Sequence, residues 1–329
     1  MKRFMTIILI GLLVLSIVGC GSGNDSGIEP LVQVRLILDY LPNTNHTGFY
    51  VAAERGYYEE EGLEVEIVQP SEGATATLIA TGQGEFGISY QEDVTYARTA
   101  KEPLPIKAIA TVIQHNTSGF ASYEPKDIVS PKDFEGKTYV GWGSPAEEAI
   151  VKAVMENAGA DFSKLTIASA DDVSFATLKD KVDLTWIFYG WTGIEAETQD
   201  FPLNYIELRE MDERLDYYTP VIIASEKLLE TKPDLARKFL AATEKGFLDT
   251  IDDPDVTSGI LADAVPEYDK EFLRRSQRYL SPKYMDDASR WGEMKAEIWD
   301  GYTGFMLEND LIPEDMPAQE AFTNEFLPK

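Results

Sequence analysis

Five short stretches of the chain concentrate side chains that recognise small molecules. The first is Asp39-Tyr40-Leu41-Pro42-Asn43-Thr44-Asn45-His46. A carboxylate there accepts from amines, an amide both donates and accepts, and loop amides ahead of a helix bind polar groups. The alternative for Asp39 is a cap that holds backbone amides, and for Asn43 and His46 it is turn chemistry alone. The second is Ser89-Tyr90-Gln91. Tyr90 either stacks on a ring or is a buried tyrosine, Gln91 donates and accepts, and Glu92 and Asp93 read as a helix start. The third is Gly141-Trp142-Gly143-Ser144-Pro145. Its glycines let the backbone approach a ligand with amides pointing into a cleft, and Trp142 stacks or packs in a core. The fourth runs from Trp186 through Phe188 and Tyr189 to Trp191, more aromatics than a core strand needs, and Glu195 follows shortly after. Trp186 and Tyr189 are candidate walls. Glu195 either meets an amine or is a solvated first-turn acid. The fifth is Tyr217-Tyr218, where Tyr218 is hinge or lining. These residue types bind a flat polar ring by stacking and hydrogen bonding.

Composition narrows the alternatives. Lys and Arg number 29 against 57 Asp and Glu, a net charge of −28. Nucleic acid is excluded as a partner, because phosphate contacts need clustered cations. One cysteine and two histidines rule out a disulfide framework and leave little for a metal site or a His-dependent hydrolase. No catalytic residue, metal ligand or cofactor is expected. Apolar residues make up 44% of the chain, enough for a real core.

The elements that must position these stretches alternate. Apolar, β-branched runs predict strands at 32–38, 65–68, 86–89 and 106–113, with helices at 47–58, 73–81 and 93–100 between them. A second series follows, with strands at 137–140, 165–167, 182–187 and 203–207 and a helix at 147–157. The strand at 221–224 returns the chain to the first series, and the remainder is largely helical. This order predicts two α/β lobes, each with a mixed, mostly parallel sheet flanked by helices. Lobe 1 is expected at 32–120 and 221–329, and lobe 2 at 121–220. Ligand sites in such sheets lie outside the carboxyl ends of strands, which here face the cleft. The first twenty residues carry Lys2 and Arg3 before an apolar run, the pattern of a secretory signal. That run ends in Ile17-Val18-Gly19-Cys20, which resembles a bacterial lipobox with Cys20 as the lipidated residue. Residues 21–31 read as a flexible tether.

The segments Asp39 to Gly48, Glu54-Arg55-Gly56-Tyr57-Tyr58-Glu59, Gly84 to Gln91 and Gly141 to Glu148 together resemble one family. It is that of the ABC-transporter substrate-binding proteins for thiamine-pyrimidine precursors, formylaminopyrimidine and hydroxymethylpyrimidine. The yeast-type hydroxymethylpyrimidine phosphate synthase is similar to it. The resemblance implies a type II periplasmic-binding-protein clamshell, monomeric and lipid-anchored on the extracytoplasmic face of the cell membrane. It also implies an aminopyrimidine ligand and an ABC permease with its ATPase as partners. In that setting Asp39, Asn43, His46, Tyr90, Gln91, Trp142, Gly143, Ser144, Trp186, Tyr189, Glu195 and Tyr218 become the candidate ligand-binding set. Riboflavin, another flat heterocycle or a sulfonate is the alternative ligand. The synthase uses a pyridoxal phosphate lysine, a reacting histidine and a cysteine-rich segment. Here residues 89–100 hold no lysine or histidine and residues 216–223 no cysteine, so a pyrimidine-processing enzyme is disfavoured.

Overall fold

The computed structural model describes residues 30–69, 74–170 and 173–329. The expected signal peptide, Cys20 and nearly all of the tether lie outside the described residues. Two five-stranded sheets organise the rest. The first has the order β2-β1-β3-β10-β4, from β1 (Val32–Ile37), β2 (Leu63–Val68), β3 (Phe86–Ser89), β4 (Ile106–Thr111) and β10 (Val221–Ser225). The second has the order β7-β6-β8-β5-β9, from β5 (Ser118–Tyr123), β6 (Thr138–Gly141), β7 (Thr166–Ser169), β8 (Leu184–Phe188) and β9 (Leu203–Glu207).

One strand in each sheet runs against the others. β10 is antiparallel to β3 and β4, and β5 is antiparallel to β8 and β9, while β1, β2 and β3 pair in parallel, as do β6, β7 and β8. Both reversed strands are the ones that enter a sheet directly from a crossing of the chain. β3 and the middle of β10 are buried throughout, as expected of strands covered on both faces.

The second sheet begins at Ser118, earlier than the boundary expected at 121. The C-terminal region also reaches further than the expected division. Tyr302, Phe305 and Met306, on the helix Ala296–Glu308, join the core of the second sheet with Phe120, Phe134 and Trp186. Ile194, beyond β8, packs with Leu261, Phe272 and Leu273 of the C-terminal helices. Apolar clusters therefore join the C-terminal helices to the core of the second sheet and to the segment beyond β8. Among the described residues no helix is long and apolar enough to cross a membrane.

Candidate binding cleft

A cavity of about 520 Å³ opens at the carboxyl ends of β1, β3, β4, β6 and β8. Asp39, Tyr40, Asn43, Asn45 and Tyr90 line it from the first sheet, and Trp142, Trp186 and Phe188 from the second. A second cavity of about 350 Å³ shares Tyr90, Trp142, Trp186, Phe188 and Thr219 with it and adds Glu92, Asp93, Ser144 and Tyr217. The two form one cleft. Its volume lies in the range of small-molecule sites. Three aromatic side chains among the described residues stand markedly exposed, Tyr40 at 65%, Trp142 at 51% and Phe188 at 42%, and all three line this cleft. Aromatic surface left open in one concave place marks a binding surface.

The polar centre is Asp39. Its Oδ1 lies 2.8 Å from His46 Nε2, and its Oδ2 accepts from the Tyr90 hydroxyl at 2.6 Å. The turn geometry fixes the histidine. Asn43 caps the short 3₁₀ turn Thr44–His46, its Oδ1 accepting from Asn45 N–H at 2.9 Å. Asn43 N–H donates to His46 Nδ1 at 3.1 Å. A backbone N–H can only donate, so Nδ1 carries no proton and Nε2–H donates to Asp39. Burial pushes the Asp39 carboxyl up, but its interactions with His46 and Tyr90 outweigh it and hold the group below the usual range. Burial and the nearby Asp39 push the Tyr90 phenol well up, so it stays a donor.

The candidate residues divide between wall and support. Asp39, Asn43, Tyr90, Trp142 and Trp186 line the larger cavity and Ser144 the smaller. His46 does not reach the wall: it is fully buried behind Asp39. Gln91 is buried too, its Oε1 accepting from Tyr218 N–H at 2.9 Å and its Nε2 donating to Ile298 O at 3.2 Å. Tyr218 is buried, its hydroxyl accepting from Lys295 N–H at 2.9 Å. Tyr189 turns away within the one-turn π-helix Tyr189–Gly193, its ring packing at a tilt against Tyr205 and Tyr279 and its hydroxyl donating to Glu197 at 2.7 Å. Gly143 gives its amide to Glu147 rather than to the cavity. Glu195 is absent from the cleft as well. It lines a separate depression with Glu267 and Asp269, where its Oε1 accepts from Gln199 Nε2 at 2.9 Å. The π-turn causes this, because its extra residue rotates the following helix, Ile194–Thr198, and carries the acid outward.

The structure adds wall residues that sequence reasoning passed over. Tyr40 and Phe188 each adjoin a residue already singled out, and their aromatic type next to a strand end was the available signal. Glu92 and Asp93 form the first turn of the helix Gln91–Thr99 as expected, yet both face the smaller cavity. Burial pushes the Glu92 carboxyl up to about 7 and also raises Asp93. Tyr302 donates to Glu92 at 2.6 Å. Among the described residues no group of three or more His, Cys, Asp or Glu side chains is placed to hold a metal ion.

Comparison with known proteins places this architecture. The family described as NMT1/THI5 like matches residues 43–257, well over half of the chain. The chain belongs to the NMT1/THI5-like family. It is 29% identical to the formylaminopyrimidine-binding protein of Halalkalibacterium halodurans, over 98% of this chain and 99% of that one. It is 26% identical to the riboflavin-binding protein RibY of Chloroflexus aurantiacus, over 91% and 87%. It is 23% identical to the 4-amino-5-hydroxymethyl-2-methylpyrimidine phosphate synthase of Legionella pneumophila, over 90% and 92%. The alkanesulfonate-binding protein SsuA of Xanthomonas axonopodis pv. citri, bound to MOPS, shares the fold with a TM-score of 0.67 at 13% identity, over 90% of this chain and 99% of that one. The expected periplasmic-binding-protein clamshell is the fold observed.

Proposed function

We propose that this protein is the extracytoplasmic substrate-binding component of an ABC importer. Its ligand on this reading is a thiamine pyrimidine precursor, formylaminopyrimidine or hydroxymethylpyrimidine. One observation carries it. Asp39 lines the cavity with each oxygen engaged by one fixed donor, which leaves acceptor capacity for an amine at the edge of a flat ring. The aromatic surfaces of Tyr40, Trp142, Trp186 and Phe188 are the faces such a ring stacks on. The formylaminopyrimidine-binding relative, similar over almost its whole length, supports the choice. A ligand that touches both walls favours the closed arrangement by its differential affinity, so the expected lobes, 32–120 with 221–329 and 121–220, close over it. Lipidation at Cys20 would hold the protein beside a permease and its ATPase.

Riboflavin is the second reading, because its ring system is also flat and RibY is a relative. A synthase activity fits less well. Among the described residues, those lining the two cavities include no lysine and no histidine to carry covalent or proton-transfer chemistry. Calorimetry against formylaminopyrimidine, hydroxymethylpyrimidine, thiamine and riboflavin tests the assignment. Micromolar or tighter binding of an aminopyrimidine is expected, and heat with riboflavin alone would transfer the assignment to the second reading. Silence with every pyrimidine would remove the proposal.

A further inference from the structure

The segment 142–144 presents three consecutive backbone N–H groups ahead of the helix Pro145–Asn157, at the border of the cleft. Such a nest is where a phosphate or sulfonate oxygen would be held. In this chain it is already filled from within. Glu147 Oε1 accepts from Trp142 N–H at 3.2 Å, and Oε2 accepts from Gly143 N–H at 2.6 Å and Ser144 N–H at 3.3 Å. The Tyr139 hydroxyl also donates to Oε1. The residue is only 2% exposed. Space is reserved for it, since a Cβ at Gly141 would lie 1.5 Å from Glu147 Oε1. Gly143 holds φ at +83°, a left-handed conformation that turns its N–H inward and that glycine adopts freely.

The walls add to this. Asp39, Glu92 and Asp93 line the cleft, and among the described residues its lining includes neither lysine nor arginine. An arriving phosphate would have to displace a carboxylate held by four donors, or sit unpaired among three more acids. Juxtaposed like charges cost several kcal/mol.

We propose that Glu147 is a specificity-determining residue: its carboxylate occupies the anion nest of the cleft, so the site takes neutral or amine-bearing heterocycles and rejects their phosphate esters and sulfonates. The inference rests on the pyrimidine reading of the cleft. It separates this site from an anion-binding site built on the same fold.

The test compares hydroxymethylpyrimidine with its monophosphate, by calorimetry at constant ionic strength. The wild-type protein is expected to bind the phosphate at least about 100-fold more weakly, the factor that several kcal/mol of like-charge cost implies. In Glu147→Ala the ratio of the two Kd values should shrink about tenfold. Glu148→Ala removes the same charge from an exposed position on the same helix and should leave the ratio unchanged. Wild-type Kd values within threefold of each other would overturn the proposal, and so would equal shifts in the two variants. Inorganic phosphate and ethanesulfonate serve as probes that do not depend on the ligand's identity. They should raise the Tm of Glu147→Ala and not that of the wild type; wild-type stabilisation by either overturns the proposal. If no pyrimidine binds, the functional reading falls, and the inorganic probes still decide the role of Glu147. A Glu147→Ala chain that does not fold leaves the wild-type comparison as the deciding measurement.

Discussion

The two walls of the cleft each hold a buried carboxylate, and the two are used in opposite ways. Asp39, after β1, receives two side-chain donors and still faces the cavity. Glu147, beyond β6, receives three backbone amides and a phenol and lines neither cavity. The first is an acceptor left open, the second an acceptor closed off. The difference lies in the supply of donors. A strand end followed by a Pro-Asn turn brings side chains to Asp39 from a distance and leaves room beside them. A helix N-terminus brings adjacent amides that saturate one acid. An acid in a cleft is therefore informative only once its donors have been counted.

The largest expected effect comes from removing the open acceptor. Asp39→Asn keeps the size but loses the charge and offers an amide nitrogen to one of two donors. Hydrogen bonds to charged groups contribute about 1.5–3 kcal/mol, so pyrimidine affinity should fall roughly 10- to 100-fold in a calorimetric titration. A loss under threefold would show that the open acceptor is not the recognition point.

The next effect runs through the support. His46→Phe keeps a ring in a fully buried space but removes both nitrogens, leaving Asp39 Oδ1 and Asn43 N–H without their partner. Burial then acts on Asp39 with less to oppose it, and its carboxyl rises. The wild-type group, with its lowered folded pKa, stays ionised until pH falls through that low value. The variant should therefore lose affinity at a higher pH than the wild type as the solution is acidified. Superimposable affinity–pH curves would reduce His46 to packing.

Glu92 tests the acid that lies between the two walls. Its folded value of about 7 stands above the ordinary carboxylate value of 4.5. The unfolded chain therefore releases that proton first, and folding stability falls as pH rises from about 4.5 to 7. Glu92→Gln keeps an acceptor for Tyr302 and removes the buried charge. Discounted for its partial exposure, the gain should be about 1–2 kcal/mol at pH 8 and near zero at pH 4, read from urea unfolding. A gain that does not vary with pH would place its origin in packing.

On the second wall, Trp142 is half exposed and meets Trp186 edge-on at 5.0 Å. Trp142→Ala should cost roughly 3- to 10-fold in affinity, the weight of one aromatic contact, with little change in Tm. A larger loss than that from Asp39→Asn would reverse the ranking of the walls.

Much of this was readable in the chain because strand ends are readable. Asp39, Tyr90 and Trp142 each follow a β-branched or apolar run directly, and the topology brings such positions to one edge. β5 was not readable. Ser118-Gly119-Phe120-Ala121-Ser122-Tyr123 is built of small residues, and Gly119 is there because a Cβ would lie 2.2 Å from Ile206 O on the neighbouring strand. That demand comes from the partner strand, not from local propensity. Glu147 did carry a signal, since Ser144-Pro145-Ala146-Glu147 is a capping box whose acid turns back toward the loop amides. The reach of Tyr302 and Phe305 into the second core has no local signature, because a helix face does not encode which sheet it will cover.

The smallest expected effect decides how far sequence position can be trusted. Glu195 and Asp39 look alike along the chain, each an acid beyond the end of an apolar strand. The π-helical turn Tyr189–Gly193 separates them in space by rotating the helix that carries Glu195. Its carboxylate then pairs with Gln199 and lines a depression apart from the cleft. A charge there is partly exposed and screened by solvent, so its influence on a ligand beside Asp39 is small. Glu195→Gln should leave pyrimidine affinity within about twofold of the wild type, far below the effect of one lost charged hydrogen bond. A loss matching that of Asp39→Asn would mean that ligand-driven closure brings the helix Ile194–Thr198 into the cleft, and the open wall would then have two acceptors.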